Sequence, residues 1–327
     1  MEGIKTLYII GNGFDKHHRM PTAFTEFYDW MQDNHYFDAL SQIDEIYGVA
    51  SYEWWKDFEN SLGEMDMCEF ALRQTRENYP DFGSDDFREA DRYRAEYQAE
   101  LDITQMVKAM KSRFTEWINT MQAPDSTKKL PISKKDVYFI TFNYTPTLET
   151  LYAVPHDQIL HIHGSVFEKG EYIIGHGKSY EKLQQELESQ EPSPAPDATP
   201  EEEQEFYESN YDPIYEDTKE AVLKNIADLR KPVDSLIERN RSTFDRLRQV
   251  ERICIYGLSF SDIDLKYIAE LIRIHNAASN IQWEISYFSE ADKAKILKFM
   301  NDYNIAEVNV QMYTLEELQQ RNQLSMF

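Results

Sequence analysis

Seven short runs dominated by apolar residues set the strongest limit on what this chain can fold into: Thr6 to Ile10, Asp136 to Asn143, Gln158 to His163, Glu171 to Ile174, Glu251 to Tyr256, Gln282 to Phe288 and Val308 to Tyr313. Several are apolar at consecutive positions, as strands buried on both faces require, and helical patterns such as Asp262 to Ala277 and Glu290 to Tyr303 separate them. That alternation predicts an α/β fold, a Rossmann-like and mostly parallel sheet with helices on both faces. In such sheets ligands gather at the carboxyl ends of the strands, so the residues just after each run are the candidates for chemistry.

Between the first two runs no strand pattern occurs. Phe24, Phe27, Tyr28 and Met31 recur at helical spacing, and the stretch from Phe87 to Met121 is long and amphipathic. This block reads as a helical insertion, residues 25–135, in a core formed by residues 1–24 and 136–327. Within that core, residues 181–217 carry Pro192, Pro194, Pro196 and Pro200 and a glutamate run at 201–203. Such a composition has little to bury and much to solvate, so an acidic loop rich in proline and glutamate is expected there.

Charge narrows the function. The chain has 59 acids against 34 bases, a formal net charge of -25, which opposes the counterion displacement that nucleic-acid backbones demand. Residues 181–220 hold 14 of the acids against Lys182 and Lys219, so the remainder is only moderately acidic and a local nucleotide pocket stays open. No apolar run approaches the roughly 20 residues of a membrane span, and the opening segment turns at Gly11 before it could form a signal peptide. A cytoplasmic protein is expected. Two cysteines, Cys68 and Cys254, exclude a disulfide framework and a four-cysteine zinc ribbon.

Four motifs follow strands. Gly11-Asn12-Gly13-Phe14-Asp15 has glycines where a sharp turn would bring backbone N–H groups to a pyrophosphate, although Lys16 stands where a third glycine would be. Thr141-Phe142-Asn143-Tyr144-Thr145-Pro146 offers an asparagine that can bond a ribose hydroxyl or a water, or merely close a turn. In His161-Ile162-His163-Gly164-Ser165, strand periodicity places both histidines on one face; one is suited to general-base work, and the other reads as a structural residue. With His176 the pair could also form a zinc site, which keeps a metal hydrolase among the readings. In Gly257-Leu258-Ser259-Phe260-Ser261-Asp262, Gly257 and Ser259 would meet a ligand first, and Asp262 can cap the next helix. A fifth segment, Gly175-His176-Gly177-Lys178-Ser179, imitates a P-loop, but Tyr172 occupies the place of its first glycine.

In that order these motifs, with Ile173-Ile174-Gly175-His176-Gly177, resemble the AbiH family of phage abortive-infection proteins over positions 7 to about 270. AbiH proteins look like relatives of sirtuins and of sirtuin-like NADases. The resemblance implies a sirtuin-like core with NAD as substrate or ligand and no metal. Asn143 and His163 are then the catalytic pair; Gly11, Asn12, Gly13 and Asp15 hold phosphate or ribose, Gly257 and Ser259 border the adenosine half, and Thr141 and Asp262 also belong to the cofactor-binding set. His161 matches nothing catalytic. Thr145 replaces an aspartate of the sirtuin deacetylases, and two cysteines cannot build their zinc module, so acyl-peptide deacetylation is disfavoured.

The function so implied is a phage-defence protein that hydrolyses NAD to ADP-ribose and nicotinamide when triggered. A non-catalytic sensor of NAD or ADP-ribose is the main alternative, and the His-based metal hydrolase ranks below both. Expected partners are a second copy or another defence protein and a phage-derived trigger, with neither membrane nor nucleic acid among them.

Overall fold

The computed structural model describes residues 3–48, 50–167, 172–275 and 280–324. Six strands form one parallel sheet: β1 (Thr6–Ile10), β2 (Val137–Thr141), β3 (Ile159–His161), β4 (Arg252–Tyr256), β5 (Gln282–Ser286) and β6 (Val310–Tyr313). Their order is β3-β2-β1-β4-β5-β6. From β1 the chain winds first toward β3 and then, through β4, toward β6, so the order reverses between β1 and β4. Strands β1, β2, β4 and β5 are largely buried because both faces are covered, as the continuous apolar runs require, whereas β6 at the edge is only partly covered. On one face Leu7, Ile9, Ile140, Ile253, Ile255 and Ile285 pack with residues of the helices Val233–Arg239, Asp262–Ile274 and Glu290–Asp302. On the other, Tyr8, Ile10, Phe139 and Tyr256 pack with Phe14, Leu148, Tyr152 and Leu318.

The strand expected at Glu171 to Ile174 does not form over its described residues, 172–174. Ile173 N–H donates to His163 O at 3.0 Å, a single link rather than a ladder. Glu171, and positions 276–277 of the helix expected to end at Ala277, lie outside the described residues. The run at Gln282 pairs only as far as Ser286, and Phe288 beyond it is 91% exposed. Among the described residues no helix is long and apolar enough to cross a membrane.

The chain divides into two compact units, residues 1–27, 114–173 and 232–327 carrying the sheet, and residues 28–113 and 174–231 forming the second. The division differs from the expected boundaries: residues 25–27 and 114–135 cluster with the sheet, whereas 174–231 cluster in the second unit. In the second unit the helix Met67–Glu77 packs on Pro213–Ala227 and on Tyr180–Gln190, and Trp55 stacks on Phe58 at 5.2 Å. Residues 181–217 are correspondingly mostly helical rather than a loop. Leu183 and Leu187 anchor Tyr180–Gln190 in the interior, and Pro200–Asn210 starts with a capping box in which Thr199 and Glu202 satisfy each other's backbone N–H groups. Pro200 at the first helical position and three first-turn glutamates suit a helix start, which is why this acidic segment is ordered as a helix.

Candidate functional site

The turn after β1 and the loop after β4 meet backbone to backbone. Gly11 N–H donates to Tyr256 O at 2.9 Å and Gly13 N–H to Gly257 O at 2.8 Å. A Cβ on Gly11 would stand 2.6 Å from Gly257 O, and one on Gly13 would stand 2.8 Å from Gly257 Cα. The first demand on these glycines is therefore close packing of two loops. The N–H groups of Gly11 and Gly13, expected to face a pyrophosphate, here donate to the end of β4 and the loop after it. Asn12 is exposed, but its side chain is tied to Thr22, accepting from the hydroxyl at 2.5 Å and donating to the carbonyl at 2.9 Å.

Asp15 turns inward. It is 1% exposed, and its carboxylate accepts from the hydroxyls of Thr145 and, at 2.7 Å, Thr147. It thus joins the helix Asn12–His17 to the loop after β2, so the residue expected at phosphate or ribose is bonded to two threonines. Burial pushes its carboxyl up to about 6, against the lowering effect of bonds from Thr145, Thr147 and Asn143. Thr141 closes the same loop, its hydroxyl accepting from Asn143 N–H at 3.1 Å.

Asn143 is buried and its Nδ2 donates to Gly11 O at 3.1 Å, which brings the ends of β1 and β2 together. His163 is 2% exposed; its Nε2 lies 3.3 Å from the Tyr267 hydroxyl, and Phe142 packs edge-on against its ring at 5.3 Å. The two histidines expected on one face have different surroundings. β3 ends at His161 and the chain turns at Gly164 (φ 90°), so strand alternation no longer governs His163. His161 instead bonds Asn143 O at 3.1 Å through Nδ1 and Glu149 at 2.9 Å through Nε2.

After β4, Gly257 (φ 69°) and Phe260 (φ 54°) both adopt left-handed backbone, and for a phenylalanine this costs about 1–2 kcal/mol. Such strain persists where surrounding contacts hold it, here Phe299 against Phe260 at 5.5 Å, and it concentrates at functional loops. Ser259 and Asp262 are exposed beside it. The cap of the helix Asp262–Ile274 is Ser261, whose hydroxyl accepts from Asp264 N–H at 3.4 Å, so Asp262 is released from the capping role considered for it.

The zinc reading loses its third ligand. His176 is fully buried; Nε2 donates to Ile226 O at 2.8 Å and Nδ1 accepts from Lys178 N–H at 3.1 Å, leaving neither nitrogen for a metal. No group of three or more His, Cys, Asp or Glu placed to hold a metal ion occurs among the described residues. The P-loop imitation resolves similarly: Lys178 pairs with Glu186 at 2.7 Å, and Ser179 caps the helix Tyr180–Gln190.

Three side chains around Asn143 and His163 escaped sequence reasoning: Glu149, Tyr267 and Ser165. The first two become visible only through long-range packing. Ser165 follows the His-Gly pair directly; it is 1% exposed and its hydroxyl has no hydrogen-bond partner among the described residues. No curated protein and no solved structure matches the chain. A model of the bacteriophage abortive infection AbiH family matches residues 7–287, which spans five of the six strands and every motif after them, and the chain therefore belongs to that family.

Proposed function

We propose that this abortive-infection protein binds NAD at the carboxyl ends of β1, β2 and β4 and hydrolyses it to ADP-ribose and nicotinamide. The observation that carries the reading is the parallel order β3-β2-β1-β4-β5-β6, the arrangement of doubly wound dinucleotide-binding sheets, which take their ligand where the order reverses. Gly11 to Gly13 and Gly257 to Ser259 flank that point. Much of the floor is filled by chain; besides Asn143 and His163, the groups offered to a ligand are the exposed Ser259 and Asp262, the backbone at Asn12 and the unpaired Ser165 hydroxyl.

In this reading the bond between nicotinamide nitrogen and ribose C1′ breaks with oxocarbenium character, and a water oxygen bonds to C1′. Asn143 fixes the ribose and the water, and His163 takes the proton the water loses. A ring only 2% exposed and faced by Tyr267 must first be uncovered, which fits an enzyme kept off until assembly or a phage component releases it. The same burial also fits a sensor that holds NAD or ADP-ribose without turnover. Incubating the protein with NAD, with and without lysate from phage-infected cells, decides between them. Nicotinamide release supports hydrolysis, bound NAD without release supports the sensor, and neither binding nor release overturns both.

Ser165→Ala adds a finer check. Removing a buried hydroxyl that has no partner is expected to leave the melting temperature unchanged or raise it. If that hydroxyl serves the ligand, NAD affinity falls roughly 2- to 10-fold, read by calorimetric titration. Unchanged affinity would remove Ser165 from the site.

A further inference from the structure

His161, assigned no catalytic part by resemblance, is tied at both ring nitrogens beside Asn143. Its side chain is 1% exposed and both nitrogens have partners: Asn143 O lies 3.1 Å from Nδ1, and Glu149 Oε1 lies 2.9 Å from Nε2. A backbone carbonyl can only accept. An ionised carboxylate can only accept as well, so an imidazole that satisfies both must carry hydrogen on both nitrogens.

Glu149 has the ionised form. Burial alone would raise its carboxyl, but the hydrogen bond and charge of His161, with bonds from its own backbone and from His156, together outweigh burial and hold it below the usual glutamate range. Glu149 is itself largely covered, with 13% of its side chain exposed, and its second oxygen has no hydrogen-bond partner among the described residues. Among the described residues, two titratable neighbours bear on the pair. His156, on the short helical turn His156–Gln158, brings Nδ1 to 3.6 Å from the same Glu149 oxygen, and Asp15 on the helix Asn12–His17 is close enough to feel the His161 charge.

The third link is Asn143 itself. Its N–H is held by the Thr141 hydroxyl, its Nδ2 by Gly11 O and its carbonyl by His161. Releasing the carbonyl would free the peptide after Asn143 to rotate and carry the residue's amide away from the ends of β1 and β2.

We propose that Glu149 and His161 are positioning residues, a charged pair that grips the Asn143 carbonyl and so sets where the Asn143 side chain points. This rests on the reading of Asn143 as the residue that fixes ribose and water. The pair would act on turnover and not on affinity, because neither member needs to touch NAD.

Two readouts test it. Nitrogen-15 spectra of the histidine side chains at neutral pH, with His161 assigned from His161→Gln, should show hydrogen on both nitrogens in the wild type. In Glu149→Gln the glutamine amide can donate to Nε2, and only one nitrogen should then carry hydrogen. A bare nitrogen on His161 in the wild-type spectrum would overturn the pair without any variant having to fold. In turnover, His161→Gln should lower kcat roughly 100-fold with KM within about 2-fold, as expected when a catalytic group is displaced by about an ångström. Glu149→Gln, which keeps a hydrogen bond, should retain more of the rate than Glu149→Ala. Unchanged kcat in His161→Gln, or a raised KM with kcat intact, would contradict the positioning role. A wild-type protein that releases no nicotinamide defeats the NAD-cleaving reading by itself, and the spectra alone then uphold or overturn the pair.

Discussion

Replacing Gly257 with alanine is expected to destabilise the sheet-bearing unit by about 4 kcal/mol or more. The new Cβ would lie 2.1 Å from Phe14 N and 2.5 Å from Gly13 C, both backbone atoms that no rotamer change can move aside. Gly257 also sits at φ 69°, where any side chain adds about 1–2 kcal/mol of strain. Relief requires the β1 turn to separate from the β4 loop, which breaks the Gly13 to Gly257 hydrogen bond as well. A fall of roughly 10 °C in melting temperature follows for a unit of this size. Gly83→Ala is the control, since its Cβ would meet only the tip of Asp81 at 3.4 Å, and it should stay within about 0.5 kcal/mol of wild type. A Gly257→Ala protein that melts like the control would mean that the two loops are not packed as described.

The second large effect is on pH dependence, and two groups at one helix drive it in opposite directions. His18 is fully buried, its Nδ1 donating to Phe14 O at 2.7 Å and its Nε2 accepting from the Tyr152 hydroxyl at 2.8 Å. Burial lowers it from 6.5 to about 4, so the stability it contributes is present above 6.5 and is lost as pH falls through 4. Asp15 is raised from 3.8 to about 6, so its contribution is complete below 3.8 and is lost as pH rises through 6. Each shift corresponds to roughly 3 kcal/mol. In the wild type the two nearly cancel between about pH 4 and 6. Asp15→Asn should therefore unmask a stability that rises with pH by roughly 3 kcal/mol across that window, whereas His18→Gln should unmask a comparable fall. Urea denaturation across a pH series reads both slopes. Parallel slopes in wild type and Asp15→Asn would show that Asp15 titrates as an exposed carboxyl does.

Much of this fold was legible in the residues because a strand buried on both faces has to be apolar at consecutive positions. Runs such as Ile253 to Tyr256 and Val137 to Ile140 meet that demand, and both are strands. Their ends also located the loops that carry the candidate site. What polarity could not show is direction. Asp15, two residues after the glycine turn, has the chemistry of a ribose ligand and faces two threonines 130 and 132 residues away. His161 and His163 looked alike by spacing until the strand ended between them. The boundary between units was hidden because helices carry one periodicity whichever core they cover. The acidic helix Pro200–Asn210 was hidden for a different reason: its composition outvoted its start signal, the Thr199-Pro200-Glu201-Glu202 capping box that was present to be read.

The proposed hydrolysis gives the proton of the attacking water to one side chain, His163. The decisive measurement is the rate of nicotinamide release from NAD by His163→Ala beside the wild type, under the condition in which the wild type is active. The account predicts a loss of at least about 100-fold, the usual worth of a positioned general base. Turnover by His163→Ala at the wild-type rate would contradict it.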